Sequence, residues 1–110
     1  MDKRLTIEQI ETLIEAVSHY GELNQQVKAI EEMDELTQAL SKYMTSRNLA
    51  VEDIERELIA HISEEIADVE IMLQQLRIIF HNHEQVNCLM ELKLGRLKNQ
   101  IRRETKGEVS

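Results

Sequence analysis

The chain has no tryptophan and no proline, one phenylalanine, two tyrosines, three glycines and one cysteine in 110 residues. Each scarcity excludes something. With aromatics at 3%, the core has to be aliphatic, built from Leu, Ile, Val, Ala and Met. With no proline and few glycines, little interrupts a helix, so long helices are favoured. Cys88 alone forms no intramolecular disulfide and supports no cysteine-based metal site. No signal-peptide pattern and no bilayer-length apolar run is present, so the expected setting is cytoplasmic, with no membrane partner.

What is present is charge and helical periodicity. Charged residues make up 31% and hydrophobic ones 42%, a balance typical of one soluble domain over residues 1–110. Such a chain buries roughly 60–70% of the surface its unfolded form exposes. The net charge is −8. Acidic residues crowd the chain up to Glu70, and basic ones gather between Lys93 and Lys106. An acidic body repels a phosphate backbone, so nucleic acid is not an expected partner. The basic tail leaves room for a small phosphate-bearing ligand.

Four helices are predicted and no strand. Thr6 and Gln9 fit a capping box, followed by an amphipathic run of Ile7, Ile10, Leu13, Ile14 and Val17. Gly21 breaks it. A second helix covers roughly Glu22 to Met44, and Thr45 to Asp53 reads as a connection with a cap near Ser46 or Asn48. A third covers roughly Ile54 to Phe80. His81-Asn82-His83 breaks the pattern before a fourth helix, roughly Glu84 to Glu104, and residues 105–110 read as frayed. The HNH string has no ββα pattern around it and is not read as a nuclease motif. The third helix carries one apolar stripe through Ile62, Ile66, Val69, Leu73, Leu76 and Phe80. Another runs through Ala60, Ala67, Ile71 and Ile78, nearly opposite. A helix apolar on two sides has to bury both. The expected fold is therefore all-α, a four-helix-bundle-like protomer with antiparallel helices that oligomerises through helix faces. Cys88 is expected to be a small buried side chain. Met33, Met44, Met72 and Met90 are expected to fill the core, and Tyr20 and Tyr43 to pack in a core or interface in preference to stacking on a base.

Two acidic clusters break the amphipathic logic. Glu31, Glu32, Asp34 and Glu35 fall within five positions, while Ile30, Met33, Leu36 and Leu40 run through the same stretch at helical spacing. Glu64, Glu65, Asp68 and Glu70 repeat the pattern on the third helix, with Glu65 inside the main apolar stripe. An unpaired buried carboxylate costs several kcal/mol, and a bound cation can offset it. Residues three apart on a helix are neighbours, so Glu32 with Glu35 and Glu65 with Asp68 form two pairs. If the two helices pack side by side, four carboxylates converge. A site offering only oxygen suits Mg²⁺ or Mn²⁺ and not Zn²⁺. Without metal, the repulsion should raise some of the carboxyl pKa values. His61, one turn from Glu65, reads as a satisfied structural histidine. Asp34, Glu64 and Glu70 read as surface residues, and Arg102, Arg103 and Lys106 as partners of the helix C-terminus.

The pattern Glu-Glu-x-x-Glu followed by Glu-x-x-Asp, here EEMDE (Glu31, Glu32, Glu35) and EIAD (Glu65 to Asp68), resembles the all-α, MazG-like nucleoside triphosphate pyrophosphohydrolases. The resemblance extends upstream through GELNQQVKAIEE and downstream to ELKLGRLKNQ, covering roughly Gly21 to Arg96. The spacer between Glu35 and Glu65 is long for that family, and the basic segment departs from its Lys-x-x-Arg-Asn form. The resemblance implies hydrolysis of a nucleoside triphosphate to a monophosphate and pyrophosphate. It implies Mg²⁺ held by Glu32, Glu35, Glu65 and Asp68, with Mn²⁺ as a substitute. Glu31 is then a candidate base for the attacking water, Gln25 a substrate contact, and Lys93 with Arg96 ligands of the triphosphate. The expected assembly is a homodimer or homotetramer. The rival is a helical interaction protein without chemistry, a dimeric bundle whose acidic face docks a basic partner. A di-iron carboxylate bundle wants two Glu-x-x-His pairs, and this chain has none.

Overall fold

The computed structural model describes residues 5–46 and 52–107. Four α-helices account for nearly all of them: α1 (Ile7–Tyr20), α2 (Glu22–Ser46), α3 (Glu52–Phe80) and α4 (His83–Thr105). There is no strand among the described residues. The chain divides into two compact units, Met1–Phe80 and His81–Ser110.

The first helix starts where its cap predicts. Thr6 Oγ1 accepts from the Gln9 backbone N–H at 3.1 Å, and Gln9 Oε1 accepts from the Thr6 N–H at 2.9 Å. This satisfies two N–H groups that the helix itself cannot use. The helix ends at Gly21, whose φ of 94° and ψ of 148° suit glycine and few other residues. α2 begins at the next residue.

The expected connection from Thr45 to Asp53 is too long. α2 continues through Ser46 and α3 already includes Glu52 and Asp53. Thr45 Oγ1 donates back to the carbonyls of Ser41 and Lys42, both at 3.1 Å. Its side chain thus bonds inside the helix and does not cap a new one. Of the two expected caps, Ser46 is the last residue of α2 and Asn48 lies outside the described residues. The break at His81–His83 is present: His81 takes φ 51°, Asn82 is the N-cap, and α4 starts at His83, one residue early.

In the first unit, α2 packs along α3, and α1 contacts both. The seam has a definite register. Gln25 Nε2 donates to Gln75 Oε1 at 2.7 Å near one end, and the Tyr43 hydroxyl donates to Glu55 Oε1 at 3.2 Å near the other. Small residues let the two backbones approach: Ala29 is 1% exposed and Ala39 is also buried. α3 contributes Leu58, Val69, Met72 and Ile79 to the seam, and α1 contributes Val17.

The sequence stripes do not coincide with the buried faces. On α3 the buried line is Leu58, Glu65, Val69, Met72, Gln75 and Ile79. It is rotated by most of one residue step, roughly 75° at 100° per residue, from the expected stripe. Ile66, Leu73 and Phe80 are left exposed. The difference on α2 is larger. Its buried residues are Gln25, Ala29, Glu32 and Ala39, while Ile30, Met33 and Leu40 are exposed and Leu36 is half-buried. The apolar stripe of α2 faces out of the protomer. Met33, Met44 and Met90 are therefore not core residues, and of the four methionines only Met72 is buried. Tyr20 is exposed too.

In the second unit α4 has no buried residue. Cys88 is consequently exposed, against expectation. No helix among the described residues is long and apolar enough to cross a membrane.

Candidate metal centre

Turning the apolar stripe of α2 outward turns Glu32 inward. Glu32 is 8% exposed and Glu65 6%, and Asp68 is half-buried on the next turn of α3. One carboxylate oxygen from each of the three lies within 4.8 Å of the others. Glu35 is exposed on α2 and stands outside this triad. Its charge nevertheless acts on both Glu32 and Glu65. Glu31 is exposed one helical step further round α2, on the flank beyond Glu35.

The electrostatics are those of an under-compensated cluster. Burial pushes the Glu32 carboxyl above its ordinary range, and the proximity of Glu35 and Asp68 adds to this; Lys28 works against it. Burial likewise raises Glu65, followed by repulsion from Glu35, with His61 opposing and Asp68 reinforcing. Each buried carboxylate has one basic side chain a turn away on its own helix: Lys28 Nζ lies 3.9 Å from Glu32 Oε2, and His61 Nε2 lies 3.9 Å from Glu65 Oε2. His61 is exposed, so it sits at the rim and is not a packed structural histidine. Glu65 Oε1 is buried with no hydrogen-bond partner.

An orphaned, buried carboxylate oxygen beside two other carboxylates is a poor arrangement for a protein alone, because an unpaired buried polar atom costs about 1–3 kcal/mol. It fits a small hard cation. The donors are all oxygen, three side chains from two helices, which matches the few protein ligands that Mg²⁺ takes while retaining waters.

Two members of the triad, Glu32 and Asp68, border a groove of about 460 Å³ along α2 and α3, with α1 contributing Ala16 and Tyr20. Glu32 and Asp68 line it together with Gln25, Lys28, Met72 and Gln75. The sequence-predicted residues thus divide. Glu32, Glu65 and Asp68 come together, Gln25 shares their groove, and Glu35 reaches them by its charge. Lys93 and Arg96 are exposed on α4, three residues apart, in the second unit.

Lys28 and Gln75 were not singled out as site residues by sequence reasoning. A signal existed for both: Lys28 is four residues before Glu32, and Gln75 is seven after Asp68, spacings that keep a helical face. No protein family, curated protein or solved structure matches this chain.

Proposed function

We propose that the protein is a Mg²⁺-dependent nucleoside triphosphate pyrophosphohydrolase, working as a homo-oligomer of antiparallel helical protomers. The observation that carries this reading is the Glu32–Glu65–Asp68 triad, two of its members buried, with its unpartnered Glu65 oxygen. Glu32, Glu65 and Asp68 would hold the ion, with Glu35 next in line. Bound there, Mg²⁺ supplies charge neutralisation of phosphate oxygens and acidification of water.

The chain's own residues supply the rest. Lys28 stands on the groove wall beside Glu32 and offers an ammonium to a phosphate oxygen. Gln25 contacts the nucleoside. Glu31, exposed and outside the triad, is the proposed acceptor of the proton released when water attacks the α phosphorus. Catalysis is then positioning and charge stabilisation. Lys93 and Arg96 are assigned to the triphosphate by the family resemblance alone.

The outward apolar stripes support the oligomer. Ile30 is 65% exposed, and Val27, Leu40 and Met44 continue its stripe along α2. Ile59, Ile66, Leu73 and Phe80 form another along α3. Contiguous apolar surface of this extent marks an interface. The rival acidic docking protein is less well supported, since Glu32 and Glu65 are turned into the protomer and are not displayed.

The test is a panel of nucleoside triphosphates with pyrophosphate detection, with Mg²⁺ and with chelator. Mg²⁺-dependent release of pyrophosphate and a nucleoside monophosphate, lost in Glu65→Gln, is the expected result. Absence of turnover across the panel rejects the reading.

A further inference from the structure

The Gln25–Gln75 pair is an odd thing to bury. Gln25 is 7% exposed and Gln75 4%, in a seam that also buries the apolar Ala29, Val69 and Met72. An amide buried without full hydrogen bonding is penalised, and an apolar pair of similar volume would close the same seam. Their mutual bond uses Gln25 Nε2 and Gln75 Oε1. A primary amide has more to give: Gln25 Oε1 remains an acceptor, and Gln75 Nε2 remains a donor. Both residues line the groove that also holds Glu32 and Asp68, and the exposed ring of Tyr20 borders it.

Spacing ties the two ends of the groove together. Gln25 precedes Glu32 by seven residues, and Gln75 follows Asp68 by seven. On both helices this puts the amide pair two turns, about 10.5 Å, from the carboxylates. That span is comparable to the reach of a nucleoside from its 5′ carbon to the far edge of its base. Every nucleobase presents a donor next to an acceptor on its pairing edge, which is the pattern that the unused amide atoms complement.

We infer that Gln25 and Gln75 together form the seat of a nucleobase, with Gln75 as a specificity-determining contact and Tyr20 as the wall beside the base. The inference rests on the phosphate-end reading of the triad for the direction in which the ligand lies. A linked pair of amides presents its donor and acceptor in either order if both flip, so the seat accepts more than one base. It rejects ligands that have no such edge.

The experiment titrates the metal-free full chain with uridine, cytidine, adenosine, guanosine and, as a base-free control, ribose. Binding is read from the side-chain amide signals of Gln25 and Gln75. Mn²⁺ alone is titrated in parallel. At least one nucleoside is expected to shift both amides and to bind more tightly than ribose. Gln75→Glu keeps an acceptor for Gln25 and the shape of the side chain but loses the donor. It should weaken nucleoside binding about tenfold and leave Mn²⁺ binding intact. Gln25→Glu gives a second variant should the first not fold. Nucleosides that bind no better than ribose, or variants that lose thermal stability but keep nucleoside binding, overturn the inference and reduce the pair to a lock on helix register. Failure of the Mn²⁺ titration with the nucleoside result intact removes the metal reading and leaves the seat standing.

Discussion

His61 Nε2 stands 3.9 Å from Glu65 Oε2, the same distance that separates Lys28 Nζ from Glu32 Oε2. Each buried carboxylate is met from its own helix, one turn away, by an exposed basic side chain. Partners of this kind contribute about 0–1 kcal/mol. They do not offset the burial of two carboxylates and the repulsion of Asp68 and Glu35. The inner oxygen of Glu65 is left without a hydrogen-bond partner.

A divalent cation should therefore raise the melting temperature. At a concentration one hundred times its dissociation constant, a ligand that binds only the folded state adds about 2.7 kcal/mol. Calorimetry with Mg²⁺, Mn²⁺ and chelator measures this. Glu65→Gln should raise the midpoint of the metal-free protein and remove most of the metal-induced shift. An identical shift in wild type and variant would detach the cation from the triad.

The raised carboxyl pKa values of Glu32 and Glu65 fix the sign of the pH dependence. The folded state holds their protons to higher pH than the unfolded state, whose carboxyls titrate near 4.5. Folded protein then binds more protons, and stability falls as pH rises. The loss begins near 4.5 and is complete once pH passes the raised values. Other carboxylates add their own slopes, so the measurement is a difference: urea midpoints against pH for wild type and for Glu32→Gln/Glu65→Gln, without metal. The gap should widen from acid to neutral pH and close again when Mg²⁺ is present with wild type.

Ala29 sets the approach of α2 to α3. Ala29→Leu places three more carbons where 1% of the side chain is exposed. Overpacking of this kind costs about 1–3 kcal/mol, a drop of several degrees in a domain of this size. Because Ala29 is one turn from both Gln25 and Glu32, divalent-cation affinity should fall with it. The pair of measurements is thermal unfolding and Mn²⁺ titration.

The outward stripe of α2 predicts how association responds to charge. Ile30→Glu and Leu40→Lys, each on an exposed position, should cost a lone protomer little. In the proposed oligomer they should reduce the sedimenting mass toward that of one chain. Analytical ultracentrifugation across a dilution series decides; an unchanged mass would mean that the stripe is covered by nothing of this chain.

Much of the fold was legible because its signals are local. Thr6 with Gln9 marks a helix start, Gly21 a turn and His81 to His83 a break, and none of these depends on what packs where. Glu65 was legible too, since a carboxylate amid Ile62, Ile66, Val69 and Leu76 asks for an explanation. The facing of α2 was not. Reading Ile30, Met33 and Leu40 as the inward stripe assumes that a protomer buries its own best apolar surface. Here the seam takes Ala29, Ala39, Glu32 and Gln25 instead, because small side chains allow close backbones. Gln75 was missed for a different reason: one glutamine on a long helix is unremarkable until its partner fifty residues away is known.

Two side-chain bonds, Tyr43 to Glu55 and Gln25 to Gln75, bracket the carboxylates along the α2–α3 seam. Sliding one rod past the other by a single turn would sever both clamps at once and carry Glu32 about 5.4 Å from the level of Glu65 and Asp68, which travel together on one helix. A slipped register is thereby penalised twice over, and Glu32 meets the other two acids only where both clamps close.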